Sequence, residues 1–324
     1  MGAVILGTGS CLPKKELSNH DLEKLVETSD EWILSRTGIS TRRISGKGEE
    51  AYQLGTVAAI NAMDMANITA DEIDLIIVAT MSSHMTMPSC ACFVQKELGV
   101  KKAFAYDVNA ACSGFLFALD NGDKYLRVER NKKILVIGTE TLSGRTNWKD
   151  RNTCILFGDG AGAVVLEHQE DGRGVVASNL FSDGNLWNLL HMHTAPSCNP
   201  ELQQPENPGA HILMEGREVF KYAVKAMEGA INDLLQKEKI DINSIDLMIP
   251  HQANIRILKK LVSRLGIKQE KVFVNVQKYG NTSAASIPIA LDEANREGRL
   301  KRGDLLLVCS FGGGFTWGAS LLRW

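Results

Sequence analysis

The chain has no apolar run approaching the ~20 residues of a membrane span. It has no excess of either charge: 36 Lys and Arg against 38 Asp and Glu leave −2. That balance disfavours general nucleic-acid binding and leaves room only for a local basic patch. The start, Met1-Gly-Ala-Val-Ile-Leu6, has no basic leader, and its sixth residue is neither Ser nor Thr. Neither a secretory signal nor a myristoylation site is therefore expected. Cysteines are few: seven, an odd number, scattered and mostly inside apolar runs. They read as reduced thiols of a cytoplasmic protein rather than as a disulfide framework.

Two phosphate-binding signatures are incomplete. Gly7-Thr-Gly9 follows a short apolar strand, but position 12 is Leu and Pro13 stands where a helix should start. The glycine-rich run from Phe157 to Leu166 lacks the Lys-Ser/Thr pair of a phosphate loop. In the aperiodic stretch from Phe181 to Ala210, His191, His193 and Cys198 have no fourth ligand at a recognisable spacing. No metal site is expected there. The composition itself, 44% hydrophobic and 23% charged over 324 residues, is that of a globular chain of about two domains.

The chain carries an internal echo. Thr69-Ala-Asp-Glu-Ile-Asp-Leu-Ile-Ile-Val78 resembles Asp241-Ile-Asn-Ser-Ile-Asp-Leu-Met-Ile-Pro250, with Ile73 and Ile245 separated by 245 − 73 = 172 positions. At the same offset Ala118-Leu-Asp120 matches Ala290-Leu-Asp292, and Lys133-Ile-Leu-Val-Ile-Gly138 has a counterpart beginning at Asp304. Each half alternates helices with apolar strands. Two copies of one α/β unit, 1–170 and 171–324, with mostly parallel sheets covered by helices, are the simplest account. Ligands in such folds sit beyond the carboxyl ends of strands.

Three residues fall at such ends. A strand at 104–108 breaks into small residues and then a helix, which places Cys112 at a strand-to-helix turn. Partial positive charge there favours a thiolate below the usual thiol pKa of about 8.5; alone, the residue reads better as a small core side chain. His251 follows the strand 245–249, and Asn281 follows an expected strand at 272–276 and precedes a helix running to Asn295. Singly these are a buried histidine and an N-cap. Together, Cys, His and Asn facing one crevice favour thioester or acyl-transfer chemistry. Gly312-Gly-Gly314 between two terminal strands fits either an oxyanion hole or a tight turn.

Two further patches surround them. Trp32 lies one helical turn before Arg36, with Arg42 and Arg43 nearby. An indole beside guanidinium groups suits a stacked base with phosphates, or a cation–π pair on a surface helix. After His251, Ile255, Leu258, Val262 and Leu265 form an apolar stripe, and Arg256, Lys260 and Arg264 a basic one. The basic stripe is either a solvated face or a dock for an acidic carrier protein.

Asn-Ala-Ala-Cys112-Ser-Gly-Phe, Pro-His251-Gln-Ala-Asn-Ile-Arg, Gly-Asn281-Thr-Ser-Ala-Ala-Ser-Ile-Pro and Phe-Gly-Gly-Gly-Phe resemble, in order, the motifs of the β-ketoacyl-acyl-carrier-protein synthase III family. Members initiate bacterial fatty-acid synthesis. The resemblance spans the chain and implies a thiolase fold, layered α-β-α-β-α, a homodimer, and acyl-CoA and malonyl-acyl-carrier-protein as substrates with no cofactor. It implies that Cys112 takes the acyl group, that His251 and Asn281 stabilise the enolate left by decarboxylation, and that the N–H groups of Cys112 and Gly313 form an oxyanion hole. Trp32, Arg36, Thr37, Arg151 and Asn254 would contact CoA. Met87, Leu142, Phe157, Leu189 and Phe311 would line the acyl pocket, and Lys221, Arg256, Lys260 and Arg264 would meet the carrier protein. Met87 departs from the Phe frequent at that position, where the side chain reaches the partner's pocket. A more flexible residue there implies tolerance of primers larger than acetyl.

A thiolase would need a second cysteine where Ser310 stands, with Cys309 one step away. Plant-type polyketide synthases differ in the terminal glycine motif. A non-catalytic CoA-binding protein would not need the intact trio. A condensing enzyme or acyltransferase of a secondary-metabolite pathway on the same fold is the alternative reading.

Overall fold

The computed structural model describes residues 2–195, 197–199, 201 and 209–324. Part of the 181–210 stretch therefore lies outside the described residues. Two sheets dominate. The first runs β1 (Ala3–Cys11), β7 (Asp159–His168), β6 (Lys133–Thr141), β4 (Leu75–Ala79), β5 (Phe104–Val108), with β4 parallel to both β5 and β6. The second runs β8 (Gly174–Ser182), β13 (Thr316–Arg323), β12 (Leu305–Gly312), β11 (Leu247–Pro250), with β11 and β12 parallel. Small two-stranded ladders pair β2 (Lys15–Ser18) with β3 (Thr41–Ile44) and β9 (Leu190–Met192) with β10 (Ile212–Met214).

The strand pattern dictates the layers. Alternate side chains of a strand point to opposite faces. In β4, Leu75 and Ile77 enter one core while Ile76 and Val78 enter another. The inner core holds α5 (Gly114–Val128) and α10 (Ser286–Arg296) together with inward residues of both sheets, such as Ile249 and Val308. The outer face of the first sheet is covered by α3 (Ala51–Ala66) and α4 (Cys90–Leu98), and that of the second by α7 (Gly216–Glu238) and α8 (Ile255–Leu265). The result is helices, sheet, helices, sheet, helices. No helix among the described residues is long and apolar enough to cross a membrane.

The offset of 172 recurs in the ladders. Leu75 pairs with Ile134 and Leu247 with Leu306, where 247 − 75 = 306 − 134 = 172. Lys133 N donates to Asp74 Oδ2 at 3.0 Å, and Leu305 N donates to Asp246 Oδ2 at 2.8 Å, again 172 apart on both sides. Lys133 thus corresponds to Leu305, not to Asp304 as the letters alone suggest. The two halves differ at one edge. Where the first sheet has β5, the second has only an isolated bridge between Met248 and Val272, and the segment turns into α9 (Val276–Tyr279). The strand expected over 272–276 is therefore absent, because the backbone there hydrogen-bonds the Gln252 side chain: Oε1 accepts from Asn275 N at 3.0 Å and Val276 N at 3.2 Å.

Two smaller helices complete the scaffold for the site. The N-cap of α2 (Asp30–Thr37) is Ser29, whose Oγ accepts from Trp32 N at 3.1 Å. Gly38 ends α2, and a Cβ there would lie 2.4 Å from Ile255 Cγ2, so α2 and the start of α8 meet through a bare backbone.

Candidate functional site

The nucleophile candidate sits on a strained turn that the duplication repeats. Ala111 has φ +46° and Ser283 has φ +48°, and 283 − 111 = 172. Each opens a short 3-10 turn, Ala111–Ser113 and Ser283–Ala285, which runs into α5 and α10 respectively. Cys112 in the first turn corresponds to Ala284 in the second. Gly312 closes in from β12: a Cβ there would stand 2.6 Å from Cys112 N. Only glycine lets the terminal loop approach the thiol this closely.

Cys112, His251 and Asn281 line one cavity of about 890 Å³, with Gly313 on its wall. His251 leaves the end of β11, its N–H bonded to Cys309 O at 2.7 Å. Its Nδ1 lies 2.6 Å from Ser286 Oγ, and Gln252 N also donates to that oxygen at 3.4 Å. The tautomer in which Ser286 Oγ–H donates to Nδ1 carries the ring proton on Nε2. Burial pushes the imidazole down to about 4, so the ring is neutral. Asn281 Oδ1 accepts from Ser283 N at 2.9 Å, which leaves Nδ2 as its available donor. Its backbone is held by Leu156 O and Gly158 N at 2.8 and 3.0 Å. The cavity thus presents a thiol and two neutral donors. That set can stabilise a developing oxyanion without opposing it by a fixed negative charge.

The resting thiol differs from the expectation at a helix N-terminus. Burial pushes Cys112 up to about 11, Ser283 and the residue's own N–H pull it down, and Glu140 opposes its ionisation. Desolvation outweighs the helix end, so the free site holds a thiol.

The remaining expected residues divide. Leu142, Phe157 and Phe311 line the cavity, but Leu189 packs on the core beneath α7 and its neighbour Leu190 lines the cavity instead. Leu189 ends the 3-10 turn Gly184–Leu189 and Leu190 begins β9, and only Leu190 reaches the cavity wall. Met87 does not line this chain's cavity and is 84% exposed, whereas Met85 and Thr86 do line it. Trp32 carries Arg36 at 5.6 Å and Arg151 at 4.7 Å from its ring centroid. At 4.7 Å the Arg151 guanidinium lies on the indole face, so a purine enters between them only by displacing it. Asn254 lines the cavity and caps α8, accepting from Arg256 N at 2.8 Å and donating to Arg36 O at 3.1 Å.

Thr37 and Arg42 are not available to a ligand. Thr37 is buried, its hydroxyl donating to Ile33 O at 2.8 Å and accepting from Ile39 N at 3.0 Å. Arg42 is fully buried and donates to Asn19 Oδ1, Leu17 O and Ile155 O. In α8, Ile257 and Leu261 join the buried stripe while Ile255 is half-buried against Gly38. Arg256 and Lys260 are exposed, but Arg264 pairs with Glu228 at 2.6 Å across to α7. Lys221 on α7 is exposed, 3.5 Å from Glu218. His191 and His193 pack edge to face at 5.2 Å, and among the described residues no cluster of three or more His, Cys, Asp or Glu could hold a metal. Cys309 belongs to the core beneath α7 and α8, with burial pushing its thiol far up, and takes no part in the cavity wall.

Sequence reasoning missed Ser286, Ser283 and Glu140. The first two were legible as serines spaced by three after Asn281. Glu140 stands out only once β6 is seen to continue past Gly138.

Comparison with known proteins places these features. Residues 106–184 match the family model for 3-oxoacyl-[acyl-carrier-protein] synthase III, and residues 235–324 match the model for its C-terminal part. The chain is 60% identical over 324 residues, all of both chains, to the β-ketoacyl-[acyl-carrier-protein] synthase III of Desulfotalea psychrophila. It is 50% identical, again over all of both chains, to that of Aquifex aeolicus. The crystal structure of the Aquifex aeolicus enzyme superposes with a TM-score of 0.93 at 49% identity, covering 100% of each chain. The priming β-ketosynthase of the R1128 polyketide biosynthetic pathway superposes with a TM-score of 0.91 at 33% identity, covering 99% of this chain and 96% of that one. Fold and relatives define an acyltransferase of the condensing class on the thiolase fold. The chain belongs to the β-ketoacyl-acyl-carrier-protein synthase III family, whose reaction is the initiating condensation of fatty-acid synthesis.

Proposed function

We propose that Cys112, His251 and Asn281 carry a decarboxylating Claisen condensation of an acyl-CoA primer with malonyl-acyl-carrier-protein. The observation that supports this most is one cavity presenting a thiol, a neutral imidazole and a carboxamide donor. In the first half-reaction Cys112 sulfur attacks the acyl thioester carbonyl, the C–S bond to CoA breaks, and the CoA thiolate leaves with the thiol proton. The N–H groups of Cys112 and Gly313 face the oxyanion. In the second, the malonyl thioester oxygen sits between His251 Nε2–H and Asn281 Nδ2–H. CO2 departs and its bonding pair becomes the enolate. The enolate carbon attacks the acyl-Cys112 carbonyl, expelling the Cys112 thiolate, which takes a proton to close the cycle. A neutral imidazole suits this step, since it donates without needing to be protonated at neutral pH. The reaction needs no cofactor beyond its two substrates.

Trp32, Arg36 and Arg151 form the proposed CoA adenine patch. Lys221, Arg256 and Lys260, exposed on neighbouring α7 and α8, form the proposed carrier-protein dock. The chain is proposed to divide into halves 1–170 and 171–324 and to act as a homodimer. β5 is an open edge strand on which Phe104 stacks with Tyr106 at 6.4 Å and meets Tyr125 at 5.8 Å, beside exposed Val128. Such an edge is ordinarily covered. Met87, exposed and outside its own chain's cavity, is then placed to reach the partner's. Free cysteines throughout fit a reducing, cytoplasmic setting.

The test separates the half-reactions. Asn281→Ala and His251→Ala should still become acylated by acyl-CoA, yet release CO2 from malonyl carrier protein at least about 100-fold more slowly, the usual cost of an oxyanion donor. Equal loss of both half-reactions in folded variants would overturn the division of roles.

A further inference from the structure

Among the described residues, the wall of the Cys112 cavity carries one guanidinium, Arg145, no lysine, and one carboxylate, Asp107. Arg145 ends the 3-10 turn Leu142–Arg145 after β6, the same turn that brings Leu142 to the wall. It is half-buried, and its hydrogen bond among the described residues runs from Nη2 to Ser83 O at a long 3.4 Å. It forms no ion pair there. Ser83, also on the wall, lies in the loop after β4, and its Oγ is buried without a hydrogen-bond partner. A guanidinium stays charged at any working pH and presents five donors in a planar fork. Charges drawn out of water are ordinarily paired. Asp107 does not supply the pairing. Its two oxygens accept from Cys90 N and Ala91 N at 2.7 and 2.8 Å at the start of α4, and burial raises its pKa.

We propose that Arg145 and Ser83 form a subsite for a carboxylate at the far end of the acyl primer, so that this chain takes ω-carboxyl acyl-CoA thioesters beside simple acyl ones. The guanidinium fork grips the carboxylate oxygens, and the otherwise unpaired Ser83 Oγ–H donates to one of them. The topology sets the span. Cys112 follows β5, Ser83 follows β4 and Arg145 follows β6, with β4 between the other two strands. The ends of β5 and β6 are therefore two strand spacings apart, about 10 Å. A short acyl chain that starts on the Cys112 sulfur crosses that gap, and Leu142, Phe157 and Met85 give its methylenes an apolar wall. The chemistry at the thioester is that of a simple primer. The C–S bond to CoA breaks as the bond to Cys112 forms, and the enolate left by CO2 attacks the acyl carbonyl and expels the Cys112 thiolate. The distal carboxylate keeps its bonds and its charge. The product is a β-ketoacyl carrier protein, two carbons longer than the primer and ending in a carboxylate. The malonyl carboxylate is not the group Arg145 serves, because gripping it would stabilise the ground state that must lose CO2.

The inference rests on Cys112 being the acylated residue, and matched primers keep the two apart. Glutaryl-CoA is set against valeryl-CoA, and adipyl-CoA against hexanoyl-CoA. Each is followed in acylation of the full-length protein by intact mass and in condensation with malonyl carrier protein. The wild-type chain should use at least one ω-carboxyl primer with a kcat/KM no lower than that of its neutral partner, although an apolar pocket would reject the charge. Arg145→Gln removes the charge and keeps a hydrogen-bonding side chain. It should lower the ω-carboxyl to neutral ratio of kcat/KM about 10-fold or more, the scale of a hydrogen bond to a charged group. Arg145→Lys should recover part of the ratio, since an ammonium supplies the charge without the fork. Ser83→Ala should lower the ratio roughly 3-fold. The neutral primer reports folding in every variant. A wild-type chain that takes neutral primers and rejects every ω-carboxyl one overturns the subsite, as does a ratio that Arg145→Gln leaves unmoved. Equal slowing of both members of a pair would assign Arg145 to CoA itself and overturn the subsite too. Failure of every primer, neutral ones included, to acylate Cys112 would overturn the nucleophile instead.

Discussion

Ser286→Ala isolates what orients His251. The serine is buried in the first turn of α10, and its Oγ lies 2.6 Å from Nδ1. The substitution removes one atom, leaves no large cavity, and strips the imidazole of its Nδ1 partner, the contact through which Ser286 would hold the Nε2–H tautomer. Loss of a buried neutral hydrogen bond costs about 1 kcal/mol net, and about 1–3 kcal/mol when a buried partner is left unsatisfied. If about 1–2 kcal/mol of that appears in the barrier, decarboxylation slows roughly 5- to 30-fold. Acylation should not change, because His251 has no part in it. The assay is single-turnover: CO2 release from malonyl carrier protein with a pre-acylated enzyme, against acyl transfer from CoA on the same preparation. Unchanged decarboxylation in Ser286→Ala, or equal slowing of acylation, would refute the tautomer reasoning.

Other perturbations probe the surroundings. Trp32→Ala should raise KM for acyl-CoA about 5-fold, the scale of one lost stacking contact, and leave KM for malonyl carrier protein alone; steady-state kinetics with each substrate varied decides this. Arg256→Glu reverses an exposed charge in the first turn of α8. It should weaken carrier-protein binding and flatten its salt dependence without altering acylation, as read by titration at two ionic strengths. A primer series against malonyl carrier protein tests Met87: turnover should persist beyond acetyl-CoA, and a sharp preference for acetyl would contradict the proposed tolerance.

Much of the site was legible because the chemistry sits where strands end. The alternating run at 104–108 and the apolar run at 247–250 are both strands, and Cys112 and His251 follow their carboxyl ends. The duplication was readable for the same reason, although one letter pair was misaligned until the ladders set Lys133 against Leu305. What escaped depends on tertiary surroundings. A helix end predicts a lowered thiol, but burial reverses it. Arg42 has the composition of a phosphate ligand and the position of a core residue. The 272–276 run has strand composition, yet Gln252 takes its backbone donors. Leu189 and Leu190 fall on either side of the junction between a 3-10 turn and β9, which no periodicity marks. Glu140 lies past the apolar run 133–138, so its burial emerges only from the fold.

The most direct measurement is intact-protein mass after exposure to acyl-CoA, with the modified peptide mapped. The wild-type chain should gain one acyl group, on Cys112, and lose it when malonyl carrier protein is added. Cys112→Ala should remain folded, still bind CoA and gain nothing. An acyl group on Cys112→Ala, or one mapped elsewhere in the wild type, would contradict the assignment of the nucleophile and with it the mechanism.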